Sequence, residues 1–161
     1  DVHADTPEDV KQNWEKLNLK EKVGKKRVLS GVPAALPALI KAQRIQEKAH
    51  SVGFDWTNKE EVWDKVKEEM NEFIAEIEHN DQNGIEAEFG DLLFSLVNLA
   101  RHYNVNPENA LERSNKKFIS RFNYVEEQTI QKGKNLKDVS LGEMDDLWNE
   151  AKQNEKRINQ Q

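Results

Sequence analysis

No proline interrupts the chain between Pro37 and Pro107. A proline inside a helix removes a backbone hydrogen bond and clashes with the preceding turn, so this stretch is open to long helices. The residue spacing uses that freedom. Leu36, Leu39, Ile40, Gln43 and Gln46 share one face of a helix predicted from about Leu36 to Ser51, and Val52-Gly53-Phe54-Asp55-Trp56 breaks it. Thr57 with Glu60 reads as a capping box opening a second helix, which runs to about His79. Asn80-Asp81 separates it from a third, with Asn83 and Glu86 as a second box and an end near Asn104. Asn106-Pro107 opens a fourth, asparagine as N-cap and proline at the first helical position, and Lys132-Gly133 closes it. Ser140 with Glu143 starts a fifth that runs past Trp148. Short connections favour antiparallel neighbours, so the expected fold is all-α: an antiparallel, four-helix-bundle-like domain of about five helices.

Charged residues make up 34% of the chain and hydrophobic ones 36%. That apolar share is low for one large core and suits amphipathic helices whose packing a homodimer completes. The net charge of −6 argues against direct nucleic-acid binding, which needs a basic face. With no cysteine, a disulfide framework and a thiolate metal site are both excluded. No run of about 18 apolar residues suggests a membrane span, and a cytoplasmic setting is expected. Residues 1–31 read as a polar lead-in and linker, with a short helix from Pro7 to Leu19 and a basic stretch from Lys20 to Arg27, and residues 32–161 as the domain proper. Because the chain starts at Asp1, it is expected to be a fragment of a longer protein.

The chemistry concentrates in two acidic segments, Glu68-Glu69-Met70-Asn71-Glu72 and Glu88-Phe89-Gly90-Asp91. On a helical wheel Val62, Val66, Met70, Phe73 and Ile77 form the apolar seam of the second helix, with Glu69, Glu72 and Glu76 on one flank and Glu68 further round. On the third helix the stripe is Ile85, Phe89, Leu92, Leu93, Leu96, Ala100 and Tyr103, flanked by Glu88 and Asp91. Like charges at this spacing repel by about 0.2–0.5 kcal/mol per pair, and a carboxylate beside a core also loses hydration. A hard divalent cation relieves both costs. The alternative is a solvated acidic face, common in a chain this charged.

Other residues carry similar pairs of readings. Lys117 and Arg121 lie one turn apart beside Leu111, Phe118, Phe122 and Val125, with Asn115 at the edge. They are either solvated or grips for phosphate. Lys65, one turn before Glu69, either pairs with the acids or reaches phosphate. Phe54 and Trp56 read as packing anchors, and Trp63 as core or dimer interface. Glu47-x-x-His50 and Glu76-x-x-His79 both fit the di-iron bundle motif. However, His50 and His79 end successive helices roughly 30 Å apart, so a solvated helix-end role near the C-terminal dipole is the better account. His3 and His102 show no constellation.

Glu68-Glu69-x-x-Glu72, a gap, and Glu88-x-x-Asp91 on two antiparallel helices resemble the signature of the MazG family of all-α NTP pyrophosphohydrolases. Ser51-Val52-Gly53-Phe54-Asp55-Trp56 and Asn115-Lys116-Lys117-Phe118-Ile119-Ser120-Arg121 are similar as well, and the likeness covers about residues 34–152. Asn13-Trp14-Glu15 resembles the end of an upstream domain in tandem members, with this chain as the C-terminal catalytic domain. The resemblance implies Mg²⁺-dependent hydrolysis of a nucleoside triphosphate to the monophosphate and pyrophosphate, with Mn²⁺ as a substitute ion, in a homodimer. It implies Glu69, Glu72, Glu88 and Asp91 as metal ligands and Glu68 as a further catalytic carboxylate. Lys65, Asn115, Lys117, Arg121 and Trp148 would contact the substrate. The competing functions are a di-iron carboxylate protein and a non-catalytic helical interaction module.

Overall fold

A computed structural model describes residues 10, 11, 13–15 and 27–160. The short helix expected over 7–19 and the basic linker over 20–27 fall largely outside the described residues, as does His3. Every regular element among the described residues is helical, as the proline-free stretch and the caps predict. The chain forms two compact units, Asp1–Pro107 and Glu108–Gln161.

The first unit holds α1 (Ala38–Ser51), α2 (Lys59–His79) and α3 (Gln82–His102), preceded by a 3₁₀ turn at Val28–Gly31 that packs on α1. The start of α2 differs from the expected box at Thr57: Asn58 is the N-cap, its side chain accepting from the Glu61 amide at 2.9 Å. At α3 the cap is likewise Asp81 instead of Asn83. Both residues are as good at capping as the expected ones, so a one- or two-residue shift costs nothing. Asn80 takes the left-handed conformation, φ 55°, that ends α2. Asn80 and Asp81 together make a connection short enough to fold α3 back antiparallel against α2.

The buried faces depart from the expected wheels. On α2, Val62 and Val66 are buried as expected, but Glu69 is buried with them while Met70 and Ile77 are half-exposed. On α3 the buried residues are Leu92, Ser95, Val97 and Asn98, whereas Phe89, Leu93, Leu96 and Tyr103 remain 40–46% exposed. The reason is that α3 packs against both α1 and α2. It turns Ser95 and Asn98 inward, and Gln46 of α1 donates to the Phe94 carbonyl at 2.8 Å. A wheel sorted by hydrophobicity puts polar residues outside, but here their hydrogen bonds offset the cost of burial.

The second unit holds α4 (from Pro107 to Gln131), a 3₁₀ turn at Leu136–Asp138 and α5 (Leu141–Ile158). Gly133 at φ +70° turns the chain after α4, and Ser140 caps α5 by accepting from the Glu143 amide at 3.2 Å. Val125, Thr129, Leu147 and Ala151 are buried, and Tyr124 donates to Glu150 across the helix pair at 2.6 Å.

Candidate active site

The antiparallel turn sets the register of the acids. Positions 69 and 91 are each 11 residues from Asn80, so equal helical rises bring them level. Glu69, Glu88 and Asp91 each offer a carboxylate oxygen within 4.8 Å of the others. Below them Phe73 and Phe89 pack with ring centroids 5.4 Å apart. At the open end of the hairpin, Trp63 donates to the Tyr103 hydroxyl at 2.9 Å.

The three carboxylates are not equally compensated. Lys65 Nζ reaches Glu69 Oε1 at 2.6 Å and Glu68 Oε1 at 3.2 Å. The second oxygens, Glu69 Oε2 and Glu88 Oε2, are buried without a hydrogen-bond partner. Burial, then the charges of Glu72, Asp91, Glu69 and Glu76, push the Glu88 carboxyl above its ordinary range. Buried carboxylate oxygens without a partner, beside further carboxylates, are costly unless a counter-charge relieves them. The donor set is all oxygen, and it fits a hard divalent ion better than a soft one. Glu72 stands outside the trio, but its charge raises the Glu88 pKa more than that of any other carboxylate. Glu68 is more exposed and turned towards Lys65.

One cavity adjoins the acids and a second shares residues with it. The smaller one, about 140 Å³, is lined by Lys65, Glu69, Asp91, Ser95 and Asn98. A larger one, about 480 Å³, lies between α1, the 52–56 loop and α3, and shares Trp56, Phe94 and Asn98 with the first. Trp56 therefore borders both cavities instead of anchoring a core, and Phe54, 81% exposed, anchors none.

Behind the larger cavity lies a cluster that the sequence did not reveal. Asp55, its side chain only 7% exposed, receives Arg101 Nη2 at 2.5 Å and contacts His102 Nε2 at 3.2 Å and His50 Nδ1 at 2.8 Å. Burial alone would raise the Asp55 carboxyl, but the hydrogen bonds from Arg101, His102 and the Trp56 amide outweigh it and hold the group below its usual range. His102 thus does belong to a constellation. The partners are 46 and 47 residues apart in the chain, beyond any local pattern. His50 is engaged here, and His79 Nδ1 lies 2.9 Å from the Ala75 carbonyl one turn back. Neither histidine joins the carboxylate trio.

The remaining expected substrate residues lie in the second unit. Asn115 and Lys117 are exposed on α4. Arg121 places Nε and Nη2 on the two oxygens of Glu155, at 3.0, 3.2 and 2.7 Å. Those hydrogen bonds raise the pKa of Arg121 and lower that of Glu155. The Arg121 guanidinium also lies 5.5 Å from the Trp148 ring, which packs on Phe118 at 5.2 Å.

Residues 57–126 match the MazG nucleotide pyrophosphohydrolase domain. Over 152 residues the chain is 41% identical to a nucleoside triphosphate pyrophosphohydrolase/pyrophosphatase MazG of Thermotoga maritima, covering 94% of this chain and 58% of the relative. Over 159 residues it is 40% identical to a nucleoside triphosphate pyrophosphohydrolase of Escherichia coli, covering 96% and 60%. An uncharacterized protein of Bacillus subtilis, YabN, is 48% identical over 163 residues, covering 98% of this chain and 32% of YabN. The chain thus spans about three fifths of the length of the first two relatives and a third of the last. The matched segment contains both acidic motifs of the hairpin and the Asn115, Lys117 and Arg121 positions of α4, and the chain carries a MazG nucleotide pyrophosphohydrolase domain over residues 57–126.

Proposed function

We propose that the chain hydrolyses nucleoside triphosphates at the α–β linkage, releasing the monophosphate and pyrophosphate. The carrying observation is the trio of Glu69, Glu88 and Asp91, with two buried carboxylate oxygens left unpaired. Two relatives named as nucleoside triphosphate pyrophosphohydrolases support the reading. Glu69, Glu72, Glu88 and Asp91 would hold Mg²⁺, for which Mn²⁺ can stand in. When bound, the ion neutralises charge on the triphosphate and lowers the pKa of a coordinated water. Lys65 fixes one oxygen of Glu69 and leaves the other free for ligation. Glu68 is a further carboxylate for positioning water. Asn115, Lys117 and Arg121 would supply the amide and the cations that phosphate oxygens require, and Trp148 would contact the nucleotide.

The half-exposed Met70, Ile77, Phe89, Leu93 and Leu96 form apolar surface on the α2–α3 hairpin. We assign it to a homodimer interface, in keeping with the chain's low apolar content. No helix among the described residues is long and apolar enough to cross a membrane. A cytoplasmic location and the absence of direct nucleic-acid contact are part of the same proposal. So is the division into a lead-in over 1–31 and a catalytic domain over 32–161.

Hydrolysis in ¹⁸O-labelled water with Mg²⁺ tests the reaction. Label should enter the nucleoside monophosphate, since water attacks the α-phosphorus. Label in pyrophosphate, or release of a nucleoside diphosphate, would overturn the assignment.

A further inference from the structure

The hydrogen bonds on Asp55 reach the acidic site through one aromatic ring. Asp55 follows a turn in which Gly53 takes φ +88°, a conformation that favours glycine. The Phe54 amide donates to the Ala49 carbonyl at 3.0 Å and ties this loop to the end of α1. The Asp55 carboxylate ties it to the end of α3, with Arg101 on one oxygen and His102 on the other. Asp55 Oδ1 also accepts from the Trp56 amide at 2.8 Å, which orients the backbone that carries the indole. Trp56 and Lys65 are the two residues shared by the small cavity beside Glu69 and Asp91 and by an open groove lined by Glu61, Asp64 and Glu68. Ring and lysine stem therefore form the partition between that groove and the acids.

Such a partition bears on the electrostatics of the site. Glu69, Glu88 and Asp91 with the single ammonium of Lys65 leave a net negative charge, and its pull on a cation weakens as water enters among the groups. The partition also keeps Lys65 seated on Glu69 Oε1, with Oε2 left unpaired. We propose that Asp55 is a positioning residue: by strapping the 52–56 loop to the end of α3 it holds Trp56 beside Lys65, closes the partition and raises the affinity of the acids for a divalent cation. The inference rests on the proposed metal site and adds a remote determinant of its strength. The Asp55 charge is already paired with Arg101, so its influence passes through the placement of Trp56 and not through its own field.

Two measurements without nucleotide test it: Mn²⁺ binding by electron paramagnetic resonance, and ¹⁹F NMR of protein labelled with 5-fluorotryptophan. The Trp56 resonance is identified by its loss in Trp56→Ala. Asp55→Asn and Trp56→Ala should each weaken Mn²⁺ binding by about 3- to 10-fold, less than the roughly 10- to 100-fold typical of a direct partner of a ligand. The double variant should bind no more weakly than the weaker single one, because both changes break the same link. In Asp55→Asn the Trp56 resonance should move while that of Trp148 stays. His102→Asn loosens the strap with Arg101 still on Asp55, and it takes the place of Asp55→Asn if that variant does not fold; its effects should have the same direction and be smaller. Mn²⁺ bound as tightly by the folded strap variant as by the wild type, or additive losses in the double variant, would overturn the inference and leave the metal site standing. A Trp148 resonance that moves along with that of Trp56 would overturn it as well, since Asp55 would then serve the fold at large. A wild type that binds no Mn²⁺ would refute the metal site and the inference with it.

Discussion

Lys65 Nζ lies 2.6 Å from Glu69 Oε1, one helical turn away, while Glu69 Oε2 has no partner at all. The lysine therefore offsets part of the cost of burying this carboxylate and leaves the second oxygen to a ligand. It also holds the Lys65 pKa above its ordinary value, chiefly through the Glu69 bond, so the ammonium stays charged throughout the neutral range. Replacing Lys65 by Met should destabilise the metal-free protein by about 1–3 kcal/mol, because Glu69 then keeps a buried charge without a counter-ion. Mg²⁺ should raise the melting temperature more in the variant than in the wild type, since the ion has more uncompensated charge to relieve. A variant whose melting temperature responds to Mg²⁺ less than the wild type does would refute this account of the pair.

The carboxylates themselves predict opposite effects on activity and stability. Glu69→Gln and Asp91→Asn should abolish turnover at saturating Mg²⁺ while the far-ultraviolet spectrum stays helical. In Asp91→Asn, loss of one repelling charge from the trio should also raise metal-free stability by a few tenths of a kcal/mol. Thermal melts in chelator read the second effect and pyrophosphate release the first. Full activity in either variant would end the assignment of that residue as a ligand.

The Asp55 cluster carries the pH dependence. His50, Arg101 and His102 face the carboxylate, and the hydrogen bonds from Arg101, His102 and the Trp56 amide hold it below the ordinary carboxylate value near 3.9. A depressed pKa means that the unfolded state binds the proton more readily. The stabilisation is therefore fully present above about pH 4–5 and is lost as pH falls through the folded-state value. Asp55→Asn should flatten this acid limb in a series of melts from pH 3 to pH 6. At pH 7 it should cost about 3 kcal/mol, because Arg101, 16% exposed, loses its counter-charge. An acid limb as steep in Asp55→Asn as in the wild type would assign the titration to other carboxylates.

The sequence exposed the acids because their chemistry and their spacing coincide. Glu69, Glu88 and Asp91 sit on predictable flanks of two helices, and the Asn80-Asp81 turn leaves little freedom in how those helices meet. The Asp55 cluster had no such signature, since a loop aspartate and two residues at the end of α3 become neighbours only after folding. Gln46 falls on the expected inward face of the first helix, but Asn98 was hidden for a different reason. Helical periodicity reports where apolar residues recur, whereas a polar side chain that is buried because it lines a cavity breaks that pattern. The seam also shifted for lack of a visible partner surface. Phe89, Leu93 and Leu96 obey helical spacing, yet they stay half-exposed in a single chain.

Arg121 is held by Glu155 on two oxygens, with its guanidinium carbon 5.5 Å from the centre of the Trp148 ring. A guanidinium so fixed has lost much of its rotamer freedom before any phosphate arrives, and it retains donors on its outer edge. If it grips the triphosphate, Arg121→Ala should lower kcat/KM by about 10- to 100-fold, as expected for loss of charge-assisted hydrogen bonds. The factor should be similar for ATP, GTP, CTP and UTP, because all four share the same phosphates. Glu155→Gln should give a smaller loss, since the fork stays intact but is held less firmly. The stability cost of either change should stay near or below about 1 kcal/mol, because the Glu155 side chain is 36% exposed and the pair is screened by solvent. Lys117→Ala combined with Arg121→Ala should lose less than the product of the single losses if both cations contact one phosphate group. A penalty confined to one base would make Arg121 a base reader, and no penalty at all would leave the pair with Glu155 as its only role.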